Sequence, residues 1–353
     1  MTEMRSSFRR PPRPRVGLGN LEVQLSSSMA APGPDFNLLA GFRFGKDSRV
    51  QDPPAVINLK LAPLGPESAL ESWWYRGPVT CSSQGPARIA KCADYAVVSV
   101  QHSGVVGGDI RSATRDAYLH LLSGVHSTGH PRVVKIWNYF GNINQGDDDC
   151  ETYRQFSLGR AEIFQEMGIT DKLFPAGTAI GTPGVEGLTL VALATRFGVD
   201  WVENPRQISA FNYPRRYGPR SPKFSRGGLV SSGDHRSFFI SGTAAVVGHE
   251  SAYPFDVVRQ VGETVQNLGE LWQAGSTVGL TERRLAPGGK YIVRIYVRNP
   301  ADYPVVAREL QDYLGANVDH AIFLHGDICR KDLMVEIDGV SIQSLQPHSA
   351  VSS

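Results

Sequence analysis

Three kinds of side chain stand where their type and spacing allow chemistry. The first is acidic. In LMVEIDGV, alternation puts Leu333, Val335 and Ile337 on one face of a strand and Met334, Glu336 and Asp338 on the other. A glutamate turned into a water-poor cleft keeps its proton and becomes a proton donor. The pattern taken alone also fits a solvent-facing strand glutamate, and Asp338 reads as structural. The second kind is cationic. Arg160 follows Tyr153 by seven residues, two turns along one helix face. Arg308 has a comparable place in a later helix, and Arg216 lies with Tyr213 in FNYPRRYGP. Arginine forks suit carboxylates, although a helical arginine is equally at home on a solvated face. The third kind is small: Gly242 in FISGTAAV and Cys329 in ICRKD either shape a site or fill a core.

Other constellations are absent or weak. There is no GxSxG elbow, Walker loop, HExxH or GxGxxG. GTAIGTPGVEG (177–187) is glycine-rich but lies between two predicted strands, which does not suit phosphate binding. The acidic run 147–149 reads as solvated, and Trp73, Trp74 and Tyr75 read as core. Cys81, Cys92, Cys150 and Cys329 are far apart and form neither a CxxC pair nor a zinc pattern, so free thiols in a reducing cytoplasm are expected.

Composition sets the frame. The chain has 353 residues, 41% of them hydrophobic, enough for more than one core. No apolar run approaches the ~18 residues of a membrane span. The net charge is +2, and residues 1–16 alone hold five arginines against Glu3, so the body has no basic field for nucleic acid. Residues 1–16 and 346–353 read as loose tails, and the prolines within 11–14 and 32–34 rule out an amphipathic leader helix.

The elements that must hold these residues repeat. FFISGTAAVV (238–247) is a strand. In 255–275, Val257, Val261, Val265, Leu268 and Trp272 mark one face of a helix. YIVRIYVRN (291–299) is a strand, 304–315 a helix closed by Gly315, and 320–326 and 331–342 are strands. The same β-α-β-α-β-β order occurs earlier: a strand at 93–104, a helix at 109–125 with Ala113, Ala117 and Leu121 in step, a strand at 132–140, a helix at 151–168, and paired strands at 174–181 and 187–195. The expected class is α+β, with two fused units. The first domain, 17–202, includes an extension, since roughly 90 residues precede its repeat; 203–234 is an Arg-, Pro- and Gly-rich connector, and the second domain occupies 235–345.

FISGTAAV with the 255–275 helix, VRIYVRNPADY and KDLMVEIDGV resembles the RidA/YjgF family, whose units assemble as trimers with ligand clefts between subunits. KIWNYFGNIN, ETYRQFSLGRAEIF, FPAGTAIG, FNYPRRYGPRSPKFSRG and ICRKDLMVEIDGV, in that order, resemble a narrower group of fused units, the chorismatases. The resemblance implies cleavage of chorismate with release of pyruvate, without metal or cofactor. It implies Glu336 as general acid and Tyr153, Arg160, Tyr213, Arg216 and Arg308 as candidate grips on the dianionic substrate. Gly in SGT and a Cys seven residues before the strand glutamate match the 3-hydroxybenzoate-forming subgroup, here Gly242 and Cys329. The alternatives are a hydrolase giving a dihydroxycyclohexadiene carboxylate and a RidA-like imine deaminase. Two units plus the extension would mimic the trimer within one chain, which fits a monomer.

Overall fold

The computed structural model describes residues 15–18, 20–45, 53–65, 70–103, 109–233, 235–280, 291–314 and 320–344. Among them, no helix is long and apolar enough to cross a membrane. Three larger sheets organise the chain, and all three are wired alike.

The second sheet contains β6 (Thr80–Gln84), β7 (Ala87–Lys91), β8 (Tyr95–His102), β9 (Arg132–Phe140), β10 (Ala176–Gly181) and β11 (Leu188–Thr195), in the order β10-β9-β11-β8-β7-β6. The helices α1 (Ile110–Thr128) and α2 (Thr152–Glu166) cover one face. Asp109 caps α1 by accepting from the amides of Arg111 and Ser112, and Gly129, at φ 80°, ends it. The third sheet repeats the plan with β12 (Val199–Val202), β13 (Gly227–Ser232), β14 (His235–Ala244), β17 (Tyr291–Val297), β18 (Ala321–His325) and β19 (Val335–Ser344). Its order is β12-β13-β14-β19-β17-β18, covered by α3 (Val257–Gly275) and α4 (Tyr303–Leu314). A small hairpin, β15 (Val246–Val247) and β16 (Glu250–Ser251), follows β14.

The extension is a third copy of this sheet, without helices among its described residues. Its strands β1 (Arg15–Leu18), β2 (Leu21–Ser26), β3 (Phe36–Phe44), β4 (Val56–Leu59) and β5 (Leu70–Arg76) run in the order β1-β2-β5-β3-β4. Parallel pairing of β3 with β4 corresponds to β9 with β10 and to β17 with β18. In each sheet the last antiparallel strand inserts between two earlier ones: β5 between β2 and β3, β11 between β8 and β9, and β19 between β14 and β17. One apolar core draws Phe42, Trp73, Trp137, Val191, Phe239 and Tyr296 from all three sheets, while separate cores lie under each helix pair. The arrangement is the trimer-like α+β assembly expected from the repeat.

Several details differ from the pattern-based reading. The strands at 174–181 and 187–195 do not pair with each other; they flank β9 on opposite sides. The reason is that β10 returns from α2 parallel to β9, whereas β11 comes back antiparallel. Arg15 and Val16 belong to β1 and not to a tail, because Val16 is buried against the central core. By hydrogen bonding, β12 and β13 extend the third sheet although they lie before residue 235. Gly315, residues 1–14 and residues 346–353 lie outside the described residues. The aromatic run at 73–75 is buried, as core.

Candidate active site

A cleft of about 310 Å³ opens between the second and third sheets. Glu336 forms part of its wall. Val335 and Ile337 pack on the helix side of β19, so Glu336 and Asp338 face the centre. Leu333 precedes the strand and joins the central core instead. Glu336 is only 4% exposed. Burial, followed by the charge of Asp338, pushes its carboxyl up to about 8, while Lys135, Arg226 and Arg298 pull the other way. At neutral pH it therefore carries its proton.

The neighbouring strand is shaped around this carboxyl. β14 slips register between Ile240 and Thr243, a bulge that takes Gly242 out of the ladder. A Cβ on Gly242 would lie 1.9 Å from Glu336 Oε1, so the space a larger residue would fill is occupied by the acid itself. The Gly242 amide donates to Thr178 Oγ1 at 3.1 Å, and Gly177 on β10 donates to Ser241 Oγ at 2.9 Å. These bonds stitch the two sheets together at the cleft.

Cys329 also lines the cleft. It sits in the loop between β18 and β19, and burial, followed by the Glu336 charge, pushes its thiol up to about 12, so it stays neutral. Arg298 holds this loop in place, donating to the carbonyls of Leu333, Ile328 and Arg330 at 2.8, 2.7 and 2.8 Å and to Asp327 Oδ1 at 2.9 Å. Tyr153, in the first turn of α2, faces the cavity, and burial raises its hydroxyl well above the usual range. Tyr213 comes from the connector, and its hydroxyl accepts from Arg226 Nη2 at 2.7 Å.

The structure brings together Glu336, Cys329, Gly242, Tyr153 and Tyr213, but not the three arginines picked from the sequence. Arg160 is buried with Nε and Nη2 unpartnered, near enough for its charge to reach Tyr153, yet it is not part of the cavity lining. Arg216 is exposed and bridges Glu250 at 2.6 Å, because its helical turn faces outward. Arg215 bridges Asp149 at 2.5 Å from the same turn, so the pair straps the connector across the cleft. Arg308 lies on the exposed face of α4, pairing with Glu309 at 2.8 Å.

Residues 71–194 match the family model described as chorismatase FkbO/Hyg5-like, N-terminal. A 3-hydroxybenzoate synthase of Streptomyces hygroscopicus is 36% identical over 247 residues, 66% of this chain and 70% of that one. A chorismatase of Streptomyces rapamycinicus is 36% identical over 282 residues, 78% of this chain and 82% of that one. The chain belongs to the chorismatase family. A crystal structure of a chorismatase matches it with a TM-score of 0.80 at 28% identity, covering 91% of this chain and 97% of that one.

The cations that line this chorismatase cleft are Arg154, Arg226, Arg330 and Lys331. Arg226 is buried with its Nε unpartnered. Arg330 stacks over Tyr217 and Tyr213, 4.2 and 5.3 Å from the ring centroids. Both had a sequence signal: Arg226 is the last arginine of the connector motif and Arg330 adjoins Cys329. A search for helix-face arginines passes over them because both sit in irregular backbone. Lys135, a lone charge within RVVKIWNYF, was a further unread signal.

Proposed function

We propose that this cleft converts chorismate to 3-hydroxybenzoate and pyruvate, with Glu336 as the proton donor. The observation that carries the reading is a buried carboxyl, held protonated at about 8, in the wall of an arginine-lined cavity. Family membership and the 3-hydroxybenzoate synthase relative support the same chemistry.

Enol-ether cleavage begins with proton transfer from Glu336 to the terminal methylene of the enolpyruvyl group, giving an oxocarbenium ion. The C4 hydroxyl then attacks C3 and gives up its proton as the C3–O bond to the pyruvyl group breaks. One proton is donated and one released, and no water is consumed. The resulting arene oxide opens to 3-hydroxybenzoate. The charged grips we assign to the two substrate carboxylates are Arg226 and Arg330, with Arg160 acting through Tyr153. The neutral thiol of Cys329 and the bare backbone of Gly242 keep an attacking water out. Four cysteines without a disulfide support a cytoplasmic location, and the three like-wired sheets within one chain support a monomer.

Purified protein mixed with chorismate and EDTA should release equimolar pyruvate and 3-hydroxybenzoate. Glu336→Gln should release neither while keeping its circular dichroism. Pyruvate accompanied by a dihydroxycyclohexadiene carboxylate would reassign the enzyme as a hydrolase. No pyruvate at all would refute the reading.

A further inference from the structure

Behind the acid lies a buried group of charges that the cleavage steps above do not use. Lys135 on β9 and Asp338 on β19 are fully buried and 3.2 Å apart, across the boundary between the second and third sheets. Thr178 Oγ1 donates to Asp338 Oδ2 at 2.6 Å and accepts from the Gly242 amide, so Asp338 is joined through Thr178 to the glycine against which Glu336 rests. Asp338 Oδ1 has no hydrogen-bond partner. Lys135 also donates to the Ile240 carbonyl and lies 5.0 Å from the Trp137 ring centroid. On the far side of the same core, Arg294 forks onto Glu71 with two bonds of 2.7 Å.

These four residues balance: Lys135 and Arg294 against Asp338 and Glu71. An ionised Glu336 would be a third anion beside them, two positions from Asp338 on the same strand face, roughly 7 Å along the strand. We propose that Asp338, clamped by Lys135 and Thr178, is a positioning residue whose fixed negative charge holds the proton on Glu336 until substrate takes it. The proposal rests on the reading of Glu336 as proton donor.

The other groups around Glu336 define what Asp338 works against. Tyr296 is its partner on β17, and Tyr153 and Cys329 are within electrostatic reach. Arg226 and Arg298 favour the ionised form, as does Lys135. Arg298 is offset by Asp327 at 2.9 Å, and Arg330 lies farther out, stacked on Tyr217. Among the neighbours, Asp338 is the charge that favours the protonated acid most. Removing it would also free Lys135 to pair with Glu336, so both effects act in the same direction.

The test is the pH profile of kcat/KM with chorismate for wild type, Asp338→Asn, Lys135→Met and the double variant. Asp338→Asn should move the alkaline limb down by at least a unit, costing about fivefold or more near pH 8, approaching tenfold or more at higher pH, and recovering in acid. Lys135→Met should move the limb up, and the double variant should return it close to wild type. A merely structural ion pair would lower activity evenly across pH. An unmoved limb in Asp338→Asn would overturn the proposal. If that single variant does not fold, the double variant is compared with Lys135→Met alone: a limb lowered by the added change supports the proposal, and coincident limbs overturn it. Failure of wild type to cleave chorismate would instead defeat the functional reading, so the two failures are distinguishable.

Discussion

Glu336 has a consequence for stability as well as for catalysis. Its folded carboxyl titrates near 8, well above the ordinary glutamate value. Between those values the folded state holds a proton that the unfolded chain has lost, so stability falls as pH rises through this window. A glutamine carries no such penalty. Glu336→Gln should therefore melt at about the wild-type temperature near pH 5 and above it near pH 8, as measured by calorimetry at both. Gly242 and Cys329 shape the same spot. An alanine at 242 cannot coexist with the present carboxyl position, 1.9 Å from its Cβ, and must turn the acid. Gly242→Ala combined with Cys329→Ala should lower turnover and shift product toward the dihydroxycyclohexadiene carboxylate, resolved by liquid chromatography. An unchanged product ratio would remove both residues from selectivity. Strand alternation made legible that Glu336 faces away from Val335 and Ile337, whereas its candidacy as the acid came from the family resemblance and not from the pattern. Its charged surroundings were not legible, because Lys135 and Arg226 come from distant segments that only folding brings near.

At the scale of elements, the cleft is built where regular structure breaks: the β14 bulge, the loop before β19 and the strapped connector. Arg298 decides the geometry of the second of these. Its guanidinium serves three carbonyls and one carboxylate of the loop carrying Cys329 and Arg330. Lysine keeps the charge but cannot reach four acceptors from one planar fork. Arg298→Lys should raise KM for chorismate severalfold more than it lowers kcat, because the loop's grip loosens while Glu336 stays on its strand. Steady-state kinetics on wild type and Arg298→Lys would show this split. Helices α1 and α3 were legible from their 3.6-residue apolar spacing, and α2 and α4 from their place in the repeat and the glycines that follow them. The loop was not, since an arginine holding backbone carbonyls leaves no periodic trace, and the connector arginine Arg216 and the helix-face arginine Arg308 turned outward to Glu250 and Glu309.

For the molecule as a whole, the first sheet, without a helix among its described residues, adds a third copy of the same strand wiring to the chain. Its wiring was hidden in the sequence because β2 and β3 are joined by residues 27–35, too short for a crossover helix, so the alternation that reveals the other two units is missing. What ties this sheet to the third is chiefly apolar contact, with one buried ion pair at its centre. Glu71 and Arg294 are nearly inaccessible, at 3% and 2% side-chain exposure. Arg294 also donates to Tyr139 at 2.7 Å and lies over the Phe42 ring, so all three sheets meet at its guanidinium. Removing one partner strands a buried charge, whereas replacing both with apolar residues of similar volume removes the desolvation cost along with the attraction. Glu71→Ala should thus destabilise the fold by about 3–5 kcal/mol in urea unfolding. Glu71→Leu with Arg294→Met should recover most of that loss. The double variant also removes one cation and one anion together from the core behind Glu336, so its alkaline limb should stay near that of wild type. A double variant as unstable as the single one would mean that the pair holds the sheets by geometry, through Tyr139 and Phe42, and not by charge balance.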